Sequence, residues 1–356
     1  MGNMINEEII EKITEILPAE WEEKSVELGA YGRSRKIKSA VDLLILVLLY
    51  VTSGKSIGGT STILKSSGKG LNKNAVKERL QKSVEWVKWL IENICVMGGY
   101  IVKRPEWLEY RRVMAVDGTK EGASNEAQTQ YNLHYMTDLF TLECIEAKVT
   151  DYETGEKLTN FEDIGQGDIV VGDRAYGTLK SIEYAVSKGA DYVIRLKANA
   201  FNLYDEKGEK VDLAKKIRRM NGAAYKVFDV YYKVSGELKP TRICVYRKDA
   251  TNIKESAQKA SKTQKFYDKY VIVATSLNES PDKILELYRL RWQIELLFKR
   301  LKSIFALDEL RAKTSESVKL WFYCKLLLAA ICETLDNMGR FSPSIQFSFG
   351  MREQIQ

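Results

Sequence analysis

The stretch SPDKILELYRLRWQIELLFKRLKSIF, residues 280–305, constrains the fold more than any other part of the chain. Ser280 as N-cap, Pro281 at the first helical position and Asp282 in the first turn form a helix-start signature. At about 100° per residue the helix sorts into three faces. Leu287, Leu290, Ile294, Leu297, Phe298 and Leu301 share an apolar arc that must go inward, so the helix has to lie on a core built by the rest of the chain. Arg289, Gln293 and Arg300 share an arc that faces water. Between the two run Tyr288, Arg291, Glu295 and Lys302, within roughly 60° of one another. A phenol, a guanidinium, a carboxylate and an ammonium are thus aligned along one edge. Taken alone, this stripe is also what a solvated helix with incidental ion pairs presents.

Two aspartates upstream give the stripe another meaning. Asp117 ends the apolar run VMAVDGT and Asp173 ends DIVVGDRAY, each where a buried strand should stop and a Gly-containing turn begin. Two carboxylates at strand ends and a third on a helix packed against the sheet suit a divalent-cation site for phosphoryl transfer. Such a site needs a few hard oxygen ligands and leaves room for water and phosphate.

These residues resemble the DDE transposases of the insertion-sequence-four (IS-four) family. The family signature is Tyr, two residues, Arg, three residues, Glu, six residues, Lys, and Tyr288, Arg291, Glu295 and Lys302 reproduce it without a gap. The D-G/S-T context of the first aspartate is matched by Asp117-Gly118-Thr119, and the D-R-x-Y context of the second by Asp173-Arg174-Ala175-Tyr176. The resemblance covers about residues 20 to 335. It implies Asp117, Asp173 and Glu295 as catalytic residues and as ligands of two Mg²⁺ ions, with Mn²⁺ able to substitute. It also implies DNA contacts from Tyr288, Arg291, Lys302, Arg174 and Tyr176. Trp292, beside the stripe, can either stack on an unpaired base or pack half-buried. The implied partner is double-stranded DNA, both the element's terminal inverted repeats and the target, gripped by a homodimer. The implied reaction is cut-and-paste transposition through a hairpin. Two alternatives share the carboxylates or the DNA surface: a metal-dependent structure-selective nuclease, and a catalytically silent DNA-binding descendant.

Composition narrows the classes. The single histidine, His134, gives a His base or a His-rich zinc site little to work with, which points to carboxylates. Five cysteines, at 95, 144, 244, 324 and 332, form no C-x-x-C pair, so reduced, buried thiols are expected. A net charge of +7 is a mild excess that favours a polyanionic partner only weakly. The N-terminus is acidic early and amphipathic, unlike a signal peptide, and Val41–Val51 is too short and too polar at Asp42 to span a bilayer. A bacterial, cytoplasmic, nucleoid-associated protein with no membrane partner is expected.

Along the chain, residues 1–105 read as a small all-α domain, either a helical bundle with ordinary lysines or, as the resemblance implies, a DNA-binding domain. It has a helix stopped by Pro18, a buried one over Val41–Thr52 and a longer one from about Lys73 to Cys95. Arg33, Arg35, Lys36 and Lys38, then Lys65, Lys69, Lys73, Lys77 and Arg79, populate the flanking turns and suit phosphate contacts from a helix-turn-helix-like reader. Residues 106–197 read as the first part of a ribonuclease H-like mixed sheet, within an α/β fold class. Strands are expected over Arg111–Thr119, Gln130–Asp138 and Leu142–Asp151. A short helical piece follows near Leu158–Ile164, then a strand at Asp168–Ala175, a helix at Leu179–Lys188 and a strand at Asp191–Lys197. In that order of elements the ends of the first and fourth strands are neighbours, so Asp117 and Asp173 should converge. Residues 198–268 read as a β-rich insertion with a hairpin turning at Ser235-Gly236 and a mobile loop over Asn252–Lys265; Tyr231, Tyr232, Arg247 and Lys248 fit cross-strand pairs on an exposed sheet, and the resemblance implies them as candidate DNA contacts. Residues 269–340 return to the catalytic core with a strand over Tyr270–Ser276, the organising helix and an apolar helix at Val318–Leu335.

Overall fold

The computed structural model describes residues 7–32, 35–66, 68, 70–94, 103–122, 130–197, 200–220, 224–248, 262–303 and 314–338. Helices come first: α1 (Glu7–Thr14), α2 (Trp21–Glu27), α3 (Ala40–Thr52), α4 (Ile57–Ser66), α5 (Lys73–Lys82) and α6 (Val84–Asn93). Ser39 accepts from the Asp42 amide at the start of α3, and Asn72 from the Ala75 amide at the start of α5. Each cap satisfies a donor that the first helical turn leaves over. The expected single helix from Lys73 is broken at Ser83, whose hydroxyl bonds back to the Arg79 carbonyl and so competes with the helix ladder. Beyond the break, Trp86 donates its indole N–H to the Trp21 carbonyl at 2.9 Å and stacks on the Trp21 ring.

Eight strands then form one mixed sheet in the order β3-β2-β1-β4-β5-β8-β7-β6. These are β1 (Val113–Gly122), β2 (Gln130–Asp138), β3 (Cys144–Asp151), β4 (Ile169–Gly172), β5 (Asp191–Arg195), β6 (Tyr225–Val234), β7 (Glu237–Arg247) and β8 (Tyr270–Thr275). The pairs β1–β4 and β4–β5 are parallel and all others antiparallel. This mixed α/β arrangement is consistent with the ribonuclease H-like expectation. Two expectations are corrected. The helical piece at Leu158–Ile164 shrinks to a 3₁₀ turn over Leu158–Asn160. Strand β1 does not stop at Asp117 but runs on to Gly122 against β2; only its pairing with β4 ends there, at Val116 opposite Gly172.

The remaining helices are α7 (Leu179–Ser187), α8 (Leu213–Arg218), α9 (Lys262–Tyr267), α10 (Pro281–Leu290), α11 (Trp292–Ser303) and α12 (Ser315–Asn337). The hairpin β6–β7 turns at Ser235 and Gly236, both at positive φ, as a two-residue turn matching strand twist requires. Through β8 it extends the central sheet rather than forming a separate one. Arg33, Lys69, Cys95, most of the expected loop (residues 252–261), residues 307–311 and the tail from 339 lie outside the described residues.

Side chains alternate across the sheet, so its two faces build two cores. Val113, Ala115, Val171, Val193 and Val273 face α10, α11, α12 and the N-terminal helices. Met114, Val116, Val170, Ile194 and Ile272 face α7 and α8. Helix α12 is buried along most of its length; it packs on α3, α6 and β3, with Tyr50 edge-on to Trp321 at 5.8 Å. The N-terminal helices therefore share one continuous apolar cluster with the sheet. Cys144, Cys244, Cys324 and Cys332 are buried and unpaired, as expected. No helix among the described residues is long and apolar enough to cross a membrane.

Between β4 and α7 the chain turns hard against the end of β5. A Cβ on Gly177 would lie 2.4 Å from the Arg195 carbonyl oxygen, a backbone atom with nowhere to go. Gly177→Ala should therefore lower stability by about 1–3 kcal/mol, read as a shift of the urea midpoint; an unchanged midpoint would show that the turn opens without strain.

Candidate active site

Strand register brings the two aspartates together. Val116 lies opposite Gly172 in the parallel pair β1–β4, whose strands run roughly 4.8 Å apart, so Asp117 within β1 and Asp173 just past the end of β4 come next to each other. Asp117 follows Val113 and Ala115 by the period of two and so faces α11. Its Oδ1 accepts from the Gly118 amide at 2.8 Å, while Asp173 Oδ1 accepts from the Ala175 amide at 2.7 Å.

The third carboxylate arrives on a helix that is not continuous. Residues 280–305 were expected as one helix; the chain instead forms α10 and α11, meeting at Arg291. There the Arg291 amide bonds to the Tyr288 carbonyl and the Ile294 amide to the Arg291 carbonyl, the tighter three-residue spacing. Neither Gly nor Pro marks the break. The Arg291 side chain turns inward until it is 7% exposed. Its Nη2 bonds Glu295 Oε1, and its Nη1 lies 3.8 Å from Asp117 Oδ2. Ser280 takes the N-cap position of α10, but its hydroxyl caps no amide.

The faces of this segment otherwise fall as expected. Leu287, Ile294, Leu297, Phe298 and Leu301 are buried, and Arg289 and Arg300 are exposed. The charged stripe is graded in depth. Tyr288 is buried, with its hydroxyl unpartnered and its ring beside the Arg291 guanidinium; Glu295 and Lys302 are half-buried; Trp292, at 58% exposed, stands out from the surface. A cleft of about 420 Å³ opens next to Arg291 and Glu295, lined also by Tyr288, Trp292, Arg195 and Tyr246.

The second motif supplies an inner layer. Tyr176 is fully buried and its hydroxyl has no hydrogen-bond partner. Burial, then the charges of Glu156, Asp117 and Asp173, push that hydroxyl far above the usual phenol range. Half-buried Arg174 keeps an unpartnered Nε, and its burial together with nearby Arg195 makes its proton easier to lose. Within the β-rich segment, Tyr232 packs inside against Phe201, Tyr231 is half-buried, Lys248 bonds the Asp268 carbonyl and Arg247 is exposed. His134 is buried beneath β2 with Thr150 and Asn160 as partners. Burial first, then Lys148, lowers its pKa to about 4, so it stays neutral and leaves the chemistry to carboxylates.

Among the described residues no three His, Cys, Asp or Glu side chains stand close enough together to hold a metal ion. Arg291 lies between Asp117 and Glu295, bonded to Glu295 and 3.8 Å from Asp117, which it offsets only in part. The donor set still fits a hard divalent cation. Burial, with Asp173 adding to it against the pull of the Gly118 amide and Arg291, pushes Asp117 up to about 7, which marks negative charge that the protein leaves under-compensated. The buried, unpartnered Tyr176 hydroxyl lies within the field of that charge.

Sequence reasoning missed three neighbours. Arg195 ends β5 at the same sheet edge as the aspartates, a position that strand order could have revealed. Lys197 follows it. Glu156 lies beside Gly118 in a turn with no motif, and nothing in the sequence singles it out.

The chain is similar to known proteins. The family profile described as transposase DDE domain matches residues 110–331. Over 93% of this chain the InsL protein of insertion sequence element IS186A from Escherichia coli K12 is 26% identical, with 92% of that relative covered. The transposase for insertion sequence element IS421 from Escherichia coli is 27% identical at the same coverage. The transposase for IS231C from Bacillus thuringiensis subsp. berliner is 22% identical over 93% of this chain and 79% of its own length. With the profile spanning more than half of the sequence and the three motifs in order, the chain belongs to the DDE transposase family.

Proposed function

We propose that this transposase cuts the ends of a bacterial insertion sequence and joins them to target DNA by metal-dependent phosphoryl transfer at Asp117, Asp173 and Glu295, through a hairpin-forming cut-and-paste route. The observation that carries the reading is the register of β1 and β4, which leaves Asp117 and Asp173 side by side, with Glu295 tied to Asp117 through Arg291. Two Mg²⁺ ions, or Mn²⁺ in their place, would be held by these three carboxylates and supply an activated attacking oxygen and a stabilised leaving oxygen. The chain's own residues hold the DNA. Arg291 offers a planar guanidinium suited to two-pronged phosphate contact, Lys302 a point charge, and Trp292 a face on which a base can stack. Tyr288, Arg174 and Tyr176 add polar atoms that lack partners in the protein alone.

We assign residues 1–105 to DNA-end binding, 106–197 and 269–340 to the catalytic core and 198–268 to the β-rich insertion. The protein acts in the cytoplasm, at the nucleoid, on the element's terminal repeats and on target DNA, as a homodimer pairing two ends. Support for the first assignment lies in α4 and α5, which pack together and carry exposed Lys65, Lys73 and Lys77, with Arg35 and Lys36 close to their connection. Because these helices share their core with α12, the test uses the whole chain rather than a fragment. Replacing Lys65, Lys73 and Lys77 together by Ala should weaken end binding and reduce the slope of log affinity against log salt by about 0.9 per lost phosphate contact. An unchanged slope would move end recognition elsewhere.

Asp117→Ala, Asp173→Ala and Glu295→Ala should each abolish cleavage and strand transfer while end binding, measured by gel shift, stays near that of the wild type. Normal nicking by Asp117→Ala would overturn the site; products of hydrolysis alone from the wild type would instead favour a structure-selective nuclease.

Arg291 separates two roles. If it contacts phosphate as charge develops, Arg291→Ala should slow single-turnover cleavage by about 10²-fold or more, on the scale of losing one oxyanion donor, and Arg291→Lys should fail to restore it. Near-normal rates for both variants would return the residue to the part of an ion-pair partner for Glu295.

A further inference from the structure

Charge is divided unevenly among the N-terminal helices. Acidic side chains gather on α1, with Glu7, Glu8 and Glu11, and on α2, with Glu22, Glu23 and Glu27, whereas α4 carries none and α5 only Glu78. Glu78 is bonded to Lys82 at 2.7 Å, which leaves it little free negative charge to present. Lys73 opens α5 with no acid in its first turn, and Lys77 follows one turn later, so both oppose the helix dipole. Phosphates lying beside the helix would offset that local cost.

The helix has two unlike sides. Val76 and Leu80 point into the core and are 0% exposed. Asn74, Lys77, Glu78 and Gln81 occupy the other side at positions i, i+3, i+4 and i+7; the first three are exposed and Gln81 is half-buried. A helix lying in the major groove of B-DNA reads base edges with residues at this spacing. Asn and Gln suit adenine, since the side-chain NH₂ donates to N7 while the carbonyl oxygen accepts from N6. Asn74 and Gln81 fall within about 20° of each other round the helix and about 10 Å apart along it. Among the described residues neither amide is engaged by a partner, in contrast to Glu78.

This face is held in place from behind. Helix α5 packs on α3, α4, α6 and α12. The Ser61 hydroxyl donates to the Leu71 carbonyl at 2.6 Å in the interior, and Lys36 Nζ bonds the Gly70 carbonyl, so the chain enters α5 in a fixed position. No large apolar side chain is exposed on α4 or α5, which is what a protein partner would require; cations flanking planar amides suit a nucleic acid duplex instead.

We propose that α5 lies in the major groove at the element's ends, with Asn74 and Gln81 each reading an adenine while Lys65 on α4 and Lys73 and Lys77 on α5 hold the flanking phosphates. This rests on the assignment of end binding to α4 and α5 and adds which side chains carry the sequence information. The competing role for the two amides is that of water-facing residues on a helix that grips phosphates alone.

The test separates affinity from discrimination. Binding of the full-length protein is followed by fluorescence anisotropy on two duplexes at one salt concentration, the first carrying the terminal inverted repeat that flanks the gene and the second the same bases in scrambled order. Asn74→Ala and Gln81→Ala should each bind the repeat about 5- to 150-fold more weakly, with scrambled-duplex affinity and melting temperature as in the wild type. Lys65→Ala should weaken both duplexes alike. Full discrimination in both amide variants, with the Lys65→Ala loss present, overturns the reader role and leaves end binding by α4 and α5 standing. No preference for the repeat in the wild type, or no loss in any of the three variants, overturns the end-binding assignment and the reader role with it. A second measurement leaves the protein unaltered: 7-deazaadenine, which lacks the N7 acceptor, is placed at one adenine of the repeat at a time. It should weaken wild-type binding where an amide reads, and that loss should vanish in the variant lacking the amide. Wild-type binding indifferent to every such replacement counts against the proposal.

Discussion

Negative charge gathered at the edge of a buried sheet is expensive, and the arrangement of the active site follows from how that cost is met. A carboxylate taken out of water must be paired, hydrogen-bonded or neutralised. Asp117 is only partly relieved by the Gly118 amide, and the charges of Asp173 and Glu156 add to its burden. The Arg291 guanidinium supplies the opposing charge, within 4 Å of Asp117 and bonded to Glu295. To reach that position the chain gives up regular helix at Arg291. One inward-turned arginine thus accounts for the α10–α11 break, for the burial of its neighbour Tyr288, and for the link between a residue on β1 and one on α11.

That arrangement depends on a scaffold stiff enough to hold like charges near one another. The parallel strands β1, β4 and β5 are covered on both faces, and their apolar runs end together at the edge where Asp117, Asp173 and Arg195 emerge. The tight approach of Gly177 to the Arg195 carbonyl ties the segment after Asp173 to the end of β5. Tyr135 packed edge-on to Phe298 at 6.0 Å ties the strand beside β1 to α11. Loops alone would let the carboxylates drift apart under their own repulsion; here each is carried on, or directly follows, an element packed into a core.

Much of this could be read from the residues. Short apolar runs bounded by turns located the strands to within a few residues, since buried strands leave an unbroken signature, and the Ser235-Gly236 pair located the hairpin because a two-residue turn needs positive φ, which Gly236 adopts without strain. The charged stripe named Arg291, Glu295 and Tyr288 correctly as neighbours. What stayed hidden has a common physical origin. The helix breaks at Ser83 and Arg291 come from tertiary contacts and local side-chain bonds, not from Gly or Pro, so periodicity runs straight through them. The extension of β1 past Asp117 is set by β2, which continues alongside after β4 has turned away. Glu156 lies in a turn held by Asn160 just after it and by Asn132 on β2, and no local pattern reports the second.

The shared core has a consequence for how DNA-end binding and chemistry communicate. Helices α3 and α6 rest on α12, and α12 rests in turn on β3 and α11, so the surface carrying Lys65, Lys73 and Lys77 is joined to the carboxylate edge by continuous side-chain packing rather than by a linker. Two domains on a flexible tether would meet DNA independently, and the gain from linking them would depend on the tether's length. Continuous packing instead fixes the distance and angle between α4 and α5 and the cleft beside Arg291. On the proposed assignment of end binding to α4 and α5, DNA held there would enter that cleft in one register, and the position of the cut relative to the bound repeat would be set by the packing of α12 between the helices and the sheet.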